Sequence, residues 1–183
     1  MKKKVIIITG IPGTGKTTLA KKLSNKFNFK LIDAKEYAIK NNLIVTRIDS
    51  NNSNNNDNNH NNNGNSSENP LIIDEKKWAL HLKKYISKSK NNLILVEGLF
   101  SHFLSSKLVS LCIVTNSPLD ILKKRLILRK YSNNKIADNL EAEAFNECYI
   151  ESIELGHNVI SINTTNKEEL DVLFSKIEQI CGF

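Results

Sequence analysis

"GIPGTGKT", residues 10–17, decides the fold of this chain. It follows the apolar, β-branched run "VIIIT" (5–9) and has the G-x-x-x-x-G-K-[ST] spacing of a phosphate-binding loop. Glycines in the loop let the backbone curl so that successive N–H groups point inward at an anion. A helix that begins where the loop ends adds the positive end of its dipole. We therefore expect a strand, a phosphate-binding loop and a helix over residues 5–26.

The last residues of the loop carry the polar side chains that such a site requires. We expect Lys16 to bridge the β- and γ-phosphates of a nucleoside triphosphate. The hydroxyl of Thr17 is in the position that ligates Mg²⁺, and Thr18 is placed to donate to the α-phosphate. The stretch therefore predicts a site for ATP with Mg²⁺ as the cofactor.

Further apolar runs, separated by helical patterns, continue the chain. The predicted strands are 5–9, 29–33, 92–96, 110–115 and 158–163, and the predicted helices are 17–26, 75–87, 118 to about 129, 139–155 and 167–180. Asp74 is a candidate N-cap, and Ser117-Pro118 reads as an N-cap followed by proline at the first helical position. Strands that alternate with helices predict a three-layer α/β/α P-loop fold with a five-stranded parallel sheet, in one domain spanning 1–183.

A carboxylate follows the third of these strands in "LILVEGLFSH" (93–102). Glu97 comes after four apolar residues, at the strand end that faces the ligand crevice in an open α/β sheet. We expect Glu97 to hold Mg²⁺ through water or to position an attacking group. The alternative is that it begins a helix and interacts with the helix dipole. His102 either assists catalysis or is a polar residue on a short surface helix.

Arginine is scarce in this lysine-rich chain. Of the 26 basic residues only Arg47, Arg125 and Arg129 are arginines. Arg125 and Arg129 are four residues apart on a predicted helix and so share a face. Their planar donor forks grip phosphate in a way that lysine cannot. We interpret both as catalytic residues that neutralise a phosphoryl group in transfer; the alternative is an exposed basic face.

Composition narrows the setting in which the protein works. The net charge of +7 leaves room for acidic partners such as nucleotides or RNA. Three cysteines without C-x-x-C spacing argue against a disulfide framework or a zinc site, and favour a reducing compartment. The apolar run at 5–8 is too short for a signal peptide, and no later stretch could span a bilayer. We expect an intracellular protein, in the cytoplasm, the nucleus or both, without a membrane partner.

One segment is of low complexity. "SNNSNNNDNNHNNNGNSS" (50–67) contains no apolar residue and can bury nothing. We expect the stretch 50–69 to be a disordered insertion between two strands.

Three stretches together resemble one known family. "GIPGTGKTT" (10–18), "VEGLFSH" (96–102) and "RLILRKYSNNKIADNLEAEAF" (125–145) are similar to the adenylate kinase isoenzyme 6 family, also known as coilin-interacting nuclear ATPase protein. The last of them resembles the family's lid motif, which is more diagnostic than the phosphate-binding loop. The similarity covers almost the whole chain apart from 50–69.

The resemblance implies a nucleoside monophosphate kinase that converts ATP and AMP into two ADP and also hydrolyses ATP. It implies an acceptor (NMP-binding) region at about 33–74 and a lid at about 128–138. ATP contacts carry over to Gly13, Thr14, Gly15, Lys16, Thr17, Thr18 and Arg129, and acceptor contacts to Asp33 and Arg47. Family members act in maturation of the small ribosomal subunit, so a small-subunit ribosomal protein and pre-ribosomal RNA are implied partners. We expect a monomer.

The chain departs from the eukaryotic members at one motif. They carry Asp-Tyr-His-Gly where this sequence has Leu95-Val96-Glu97-Gly98, and the Glu-Gly form looks more like archaeal relatives. The histidine assigned to hydrolysis is absent unless His102 substitutes for it. Two alternatives therefore stay open: an assembly factor whose nucleotide cycle gates binding to a ribosomal protein or RNA, and a kinase of another small metabolite.

Overall fold

A computed structural model describes residues 3–47 and 71–182. The asparagine-rich segment 50–69, which we expect to be disordered, lies outside these residues. In chain order the described strands are β1 (Lys4–Thr9), β2 (Lys30–Asp33), β3 (Ile44–Arg47), β4 (Leu71–Ile73), β5 (Leu93–Glu97), β6 (Leu111–Asn116) and β7 (Val159–Asn163). The helices are α1 (Lys16–Phe27), α2 (Ala34–Lys40), α3 (Glu75–Lys88), α4 (Leu119–Leu128), α5 (Asn133–Ala144), α6 (Glu147–Glu154) and α7 (Lys167–Cys181), with a 3₁₀ turn at Ser101–Phe103.

The main sheet is parallel and has five strands, as predicted, and its strand order is β2-β5-β1-β6-β7. β1 lies at its centre, between β5 and β6. In the register, Ile8 pairs with Glu97, and Asp33 also pairs with Glu97 from the other side. Because all five strands run the same way, their carboxyl ends meet at one edge, directly under the loop that follows β1.

Helices cover both faces of the sheet because successive strand residues point to opposite sides. Ile6 and Ile8 pack with α1 and α7 on one face, whereas Val5 and Ile7 pack with α3, α4, α5 and α6 on the other. All four of these strand residues are completely buried. The β1 run is therefore apolar throughout, and this is why it shows no period-2 alternation.

The structure corrects two of the predicted helices. The predicted helix 139–155 is two helices, α5 and α6, and α5 begins at Asn133. The break falls at Asn146, which adopts a left-handed conformation (φ 53°) that interrupts the helical hydrogen bonds. Helix α4 begins at Leu119 with Pro118 as its N-cap, one residue later than predicted. Asp74 caps α3 as predicted, accepting a hydrogen bond from the Lys77 N–H at 2.9 Å.

Helix α2 was not predicted, and it joins the sheet to a second, small sheet. The side chain of Asp33 caps α2 by accepting from the Glu36 N–H at 2.7 Å. β3 and β4 then pair antiparallel on either side of the segment 50–69. These elements fall in the region 33–74 assigned to the acceptor, an assignment that stays a prediction. None of the described helices combines the length and the apolar composition that crossing a membrane requires.

Trp78 of α3 ties these elements together. Its side chain is fully buried, and its Nε1–H donates to the carbonyl of Ala34, the first residue of α2, at 3.2 Å. Its ring packs edge-on against Phe100, with ring centroids 4.9 Å apart. The indole therefore links α3 to α2 and to the loop after β5.

Candidate active site

The loop of residues 10–15 stands over the carboxyl edge of the sheet in a conformation that requires glycine. Gly10 has φ 137° and Gly15 has φ 100°, both in the region that disfavours L side chains. A Cβ on Gly15 would come within 2.5 Å of the Thr164 hydroxyl, and one on Gly10 would overlap the carbonyl oxygen of Thr115. The backbone is thus held against β6 and the β7–α7 turn, with room only for glycine.

Hydroxyl groups beneath the loop hold it from below. Thr14 is fully buried, and its Oγ1 donates to the Ile11 carbonyl at 2.8 Å and lies 2.6 Å from the Thr115 hydroxyl. The Thr164 hydroxyl donates to the Thr14 carbonyl at 2.7 Å. The Thr14 hydroxyl is therefore already hydrogen-bonded within the protein. The predicted contact of Thr14 with ATP stays a prediction, and it would be made by the Thr14 backbone.

Lys16 bends back over the loop that precedes it. Its Nζ donates to the carbonyls of Gly10 at 2.7 Å and of Ile11 at 3.0 Å. Burial lowers the pKa of Lys16 from 10.5 to about 8, and the nearby Glu97 acts in the opposite direction. The Lys16 ammonium is thus poorly solvated. A phosphate that replaces the two carbonyls would be attracted strongly, because little water screens this charge.

Thr17 and Glu97 meet at the head of α1. The Thr17 hydroxyl donates to Oε1 of Glu97 at 3.0 Å, and Glu97 is 5% exposed. Glu97 ends β5 rather than beginning a helix, so the alternative reading of this residue is wrong. Burial raises the pKa of Glu97, opposed by the Thr17 hydrogen bond. A hydroxyl and a carboxylate oxygen beside a phosphate loop are ligands that Mg²⁺ accepts, with phosphate and water completing its shell. The residues present therefore fit that ion.

A small pocket of about 260 Å³ lies on one side of the loop. Gly13, Gly15 and Thr18 line it together with Arg125, Arg129 and Thr164. Arg125 is half-buried, and its Nη1 donates to the Gly13 carbonyl at 3.0 Å and lies 3.5 Å from the Ser117 hydroxyl. Arg129 follows the last residue of α4 and is exposed. The structure therefore places both arginines beside the loop, and Arg125 is hydrogen-bonded to it.

A much larger cavity of about 1180 Å³ lies on the other side. Ile11 and Pro12 of the loop form part of its wall, with Lys35 of α2, the segment Gly98–Phe103 and the inner faces of α5 and α6. The structure places Asp33 beside Glu97, where it serves as the cap of α2. Arg47 ends β3, and its side chain lies outside the described part of the chain. The acceptor roles of Asp33 and Arg47 stay predictions.

His102 is buried, so of its two predicted alternatives the polar residue on a short surface helix is wrong, and the role in catalysis stays a prediction. His102 is 2% exposed within the 3₁₀ turn and lines the larger cavity. Its ring contacts Thr9 and Glu151, which the sequence analysis did not single out. Thr164 was missed as well, although it follows the last strand at the same sheet edge as Glu97. That shared position could have identified it.

The comparisons with known proteins agree with this geometry. An AAA domain family model matches residues 6–146. "Putative adenylate kinase" of Thermococcus gammatolerans is 30% identical over 176 residues, which cover 96% of this chain and 85% of that protein. The protein of the same name from Methanocaldococcus jannaschii is 31% identical over 96% of this chain and 85% of its own length.

Solved structures share the fold at low identity. Shikimate kinase from Bacteroides thetaiotaomicron has a TM-score of 0.57 at 16% identity, over 98% of this chain and 99% of that one. Deoxyadenosine kinase from M. mycoides has a TM-score of 0.51 at 11% identity, over 95% of this chain and 99% of that one.

Fold and loop together define a nucleotide-binding protein of the P-loop class. Within that class the identity to the archaeal proteins spans nearly the whole chain. The chain belongs to the P-loop nucleoside monophosphate kinase family.

The lowered pKa of Lys16 leads to a first prediction. A bound triphosphate raises the pKa of Lys16 above its free value of about 8, so nucleotide binding at pH 8.5 takes up a proton. Below pH 8 the lysine is charged in both states, and affinity for ATP falls as pH rises through that value. Calorimetric titration at pH 8.5, in two buffers of different ionisation enthalpy, measures this uptake. Equal apparent enthalpies in the two buffers would contradict it.

Proposed function

We propose that this protein transfers the γ-phosphoryl group of ATP to AMP, giving two ADP. The observation that carries the proposal is the position of the phosphate-binding loop between two cavities. Gly13 and Gly15 line the small pocket, and Ile11 and Pro12 line the large cavity. A donor nucleotide in the small pocket and an acceptor in the large cavity would both contact the loop that precedes Lys16, which brings them together for an in-line transfer.

The chain's own groups supply positioning and charge in this reaction. Lys16 exchanges the carbonyls of Gly10 and Ile11 for the β- and γ-phosphates, where its ammonium offsets the charge of the transferring group. Arg125 fixes the loop through the Gly13 carbonyl, and Arg129 contributes a second guanidinium from the same pocket. Thr17 and Glu97 would hold Mg²⁺, which would supply positive charge to the transferring phosphoryl group.

The proposal of AMP as acceptor is supported by the lid stretch 125–145 and by the names of the archaeal relatives, whereas membership of the isoenzyme 6 branch is supported by the lid stretch alone. Within this proposal ATP hydrolysis is a side reaction, in which water replaces the acceptor. His102 has both ring nitrogens within hydrogen-bond distance of protein groups, an arrangement that favours a positioning role over proton transfer to water.

A second candidate function is a nucleotide-gated step in maturation of the small ribosomal subunit. The net charge of +7 favours an acidic partner such as pre-ribosomal RNA, and the lid resemblance favours a small-subunit ribosomal protein. In this proposal the protein is monomeric and works in the cytoplasm, the nucleus or both.

A coupled assay of ADP formation separates the two functions. The purified protein is given ATP and Mg²⁺ with AMP, GMP, CMP, UMP or no acceptor, and Lys16→Ala serves as the blank. We expect AMP to raise the rate at least about 100-fold over ATP alone, because the acceptor replaces a poorly positioned water. A rate that AMP leaves unchanged would reject the kinase and favour the gated ATPase.

A further inference from the structure

Three side chains from separate elements form a hydrogen-bonded row beside the larger cavity. His102 Nδ1 lies 2.8 Å from the Thr9 hydroxyl, and His102 Nε2 lies 2.9 Å from Oε2 of Glu151. Thr9 ends β1 and is fully buried, whereas the side chain of Glu151 on α6 is 49% exposed. The row therefore runs from the strand under the phosphate-binding loop to a carboxylate on the cavity wall.

The number of protons available determines which groups in this row donate and which accept. The Thr9 hydroxyl has one proton, and its Oγ1 is 2.7 Å from the Leu99 carbonyl, an acceptor only. Glu151 can only accept, so Nε2–H of the neutral His102 ring donates to it, and Nδ1, which then carries no proton, shares the Thr9 hydroxyl proton with the Leu99 carbonyl. The backbone of His102 is held as well, because His157 Nε2–H donates to its carbonyl at 2.7 Å. The imidazole therefore cannot turn without losing a buried hydrogen bond.

Glu151 is consequently a carboxylate with one oxygen fixed and the other available. His102 occupies Oε2, and no hydrogen bond from the described residues reaches Oε1. Glu151 lines the larger cavity together with Phe100 and Phe103, whose rings offer an apolar wall for a flat base. Because a buried histidine holds this carboxylate in place, its free oxygen is preorganised to accept a hydrogen bond from a ligand.

Charge indicates which part of an acceptor this oxygen would meet. The cavity is lined by the carboxylates of Glu75, Asp138, Glu147 and Glu151, and its described cationic side chains are Lys35 and Lys135. Phosphate is repelled by carboxylates and attracted by lysines, so its place is with Lys35 or Lys135. Glu151 is left to meet an uncharged N–H or O–H group.

We propose that Glu151, oriented by His102, is an acceptor-recognition residue that receives a hydrogen bond from a neutral donor of the acceptor nucleotide. That donor is the exocyclic amino group of the base or a hydroxyl of the sugar. The inference rests on the proposed function, since it requires a nucleoside monophosphate in the larger cavity. The inference adds to the proposed function that Glu151 is the protein group that selects the acceptor.

Glu151→Gln is the direct test, and Glu154→Gln is the matched control. Glu154 is exposed on the same helix and is not among the described residues that line the cavity. In Glu151→Gln the amide oxygen pairs with His102, and the NH₂ group is turned toward the acceptor's own donor. We expect the KM for AMP to rise on the order of 10-fold or more, with kcat and the KM for ATP within about twofold of wild type. Glu154→Gln should match wild type in all three.

Two substrate analogues identify the donor group. Purine riboside monophosphate lacks the amino group of AMP, and 2′-deoxy-AMP lacks one sugar hydroxyl. The analogue that lacks the recognised group should be a poorer acceptor for wild type, and Glu151→Gln should remove that difference. Discrimination that is the same in Glu151→Gln and in Glu154→Gln would overturn this inference alone. A wild-type protein that phosphorylates no monophosphate would overturn the proposed function, and this inference with it.

His102 is tested as a positioning residue. His102→Asn should raise the KM for AMP and reduce analogue discrimination, and the double variant with Glu151→Gln should be no worse than the more affected single variant. A purely structural role would lower the melting temperature and leave the discrimination between analogues unchanged. That result would show that His102 does not position Glu151. The role of Glu151 would then rest on the Glu151→Gln variant alone.

Discussion

Lys16→Ala should lower the rate of ADP formation from ATP and AMP by at least about 10³-fold, an effect at the upper end for loss of one preorganised charged donor. Lys16 is the basic residue of the loop itself, and its Nζ already lies within 3.0 Å of two loop carbonyls. Arg125 does not take its place, because its guanidinium donates to the Gly13 carbonyl. Hydrolysis of ATP should fall together with transfer, since both reactions pass through the same charged phosphoryl group.

The measurement is steady-state kinetics on the purified variant, with circular dichroism to establish that it is folded. Lys123→Ala is the control, because Lys123 is an exposed lysine of α4 outside both described cavities. It should retain wild-type rates. A Lys16→Ala protein that keeps more than about a tenth of either activity would defeat the assignment of this site.

Arg125→Lys should lower kcat on the order of 10²-fold while affinity for ATP changes little. Lysine keeps the charge but loses the planar fork with which Arg125 reaches the Gly13 carbonyl and lies near the Ser117 hydroxyl. A loop that is less well held binds nucleotide and places the γ-phosphate poorly. Arg129→Lys should also lower kcat, and it should weaken ATP binding, because Arg129 lines the pocket and its guanidinium makes no hydrogen bond to a described residue.

Both variants are assayed with ATP and AMP varied independently. Lys124→Gln is the control: it alters a neighbouring, exposed position of α4 and should leave both parameters unchanged. Near-wild-type kcat in Arg125→Lys and Arg129→Lys would mean that the scarce arginines are surface charge.

The sequence predicts the central strands of the sheet well because they are buried on both faces. A run such as Val5–Ile8 has one physical explanation, a central strand covered by helices on each side. Helix α2 escaped prediction because it is only seven residues long, and its cap, Asp33, had already been assigned to binding. The break between α5 and α6 escaped because asparagine adopts the left-handed conformation without any distinctive local pattern.

The phosphate-binding loop and its neighbours were also predictable, whereas the wall of the larger cavity was not. Lys16, Thr17 and Glu97 come from a contiguous motif and from a strand end, both of which are visible in one sequence. The row of Thr9, His102 and Glu151 joins residues that are 93 and 49 positions apart. No local sequence pattern indicates either contact, because tertiary packing of β1 and of α6 against the 3₁₀ turn brings these side chains together.

Trp78 gives the protein an internal optical reporter, since it is the single tryptophan of the chain. Its indole packs on Phe100, a wall residue of the larger cavity, and hydrogen-bonds to the first residue of α2. Any movement of α2 or of that wall changes the surroundings of the one strong fluorophore. Filling of the larger cavity can therefore be followed from the intrinsic emission of the unlabelled protein, separately from turnover, in stopped-flow experiments on the native chain.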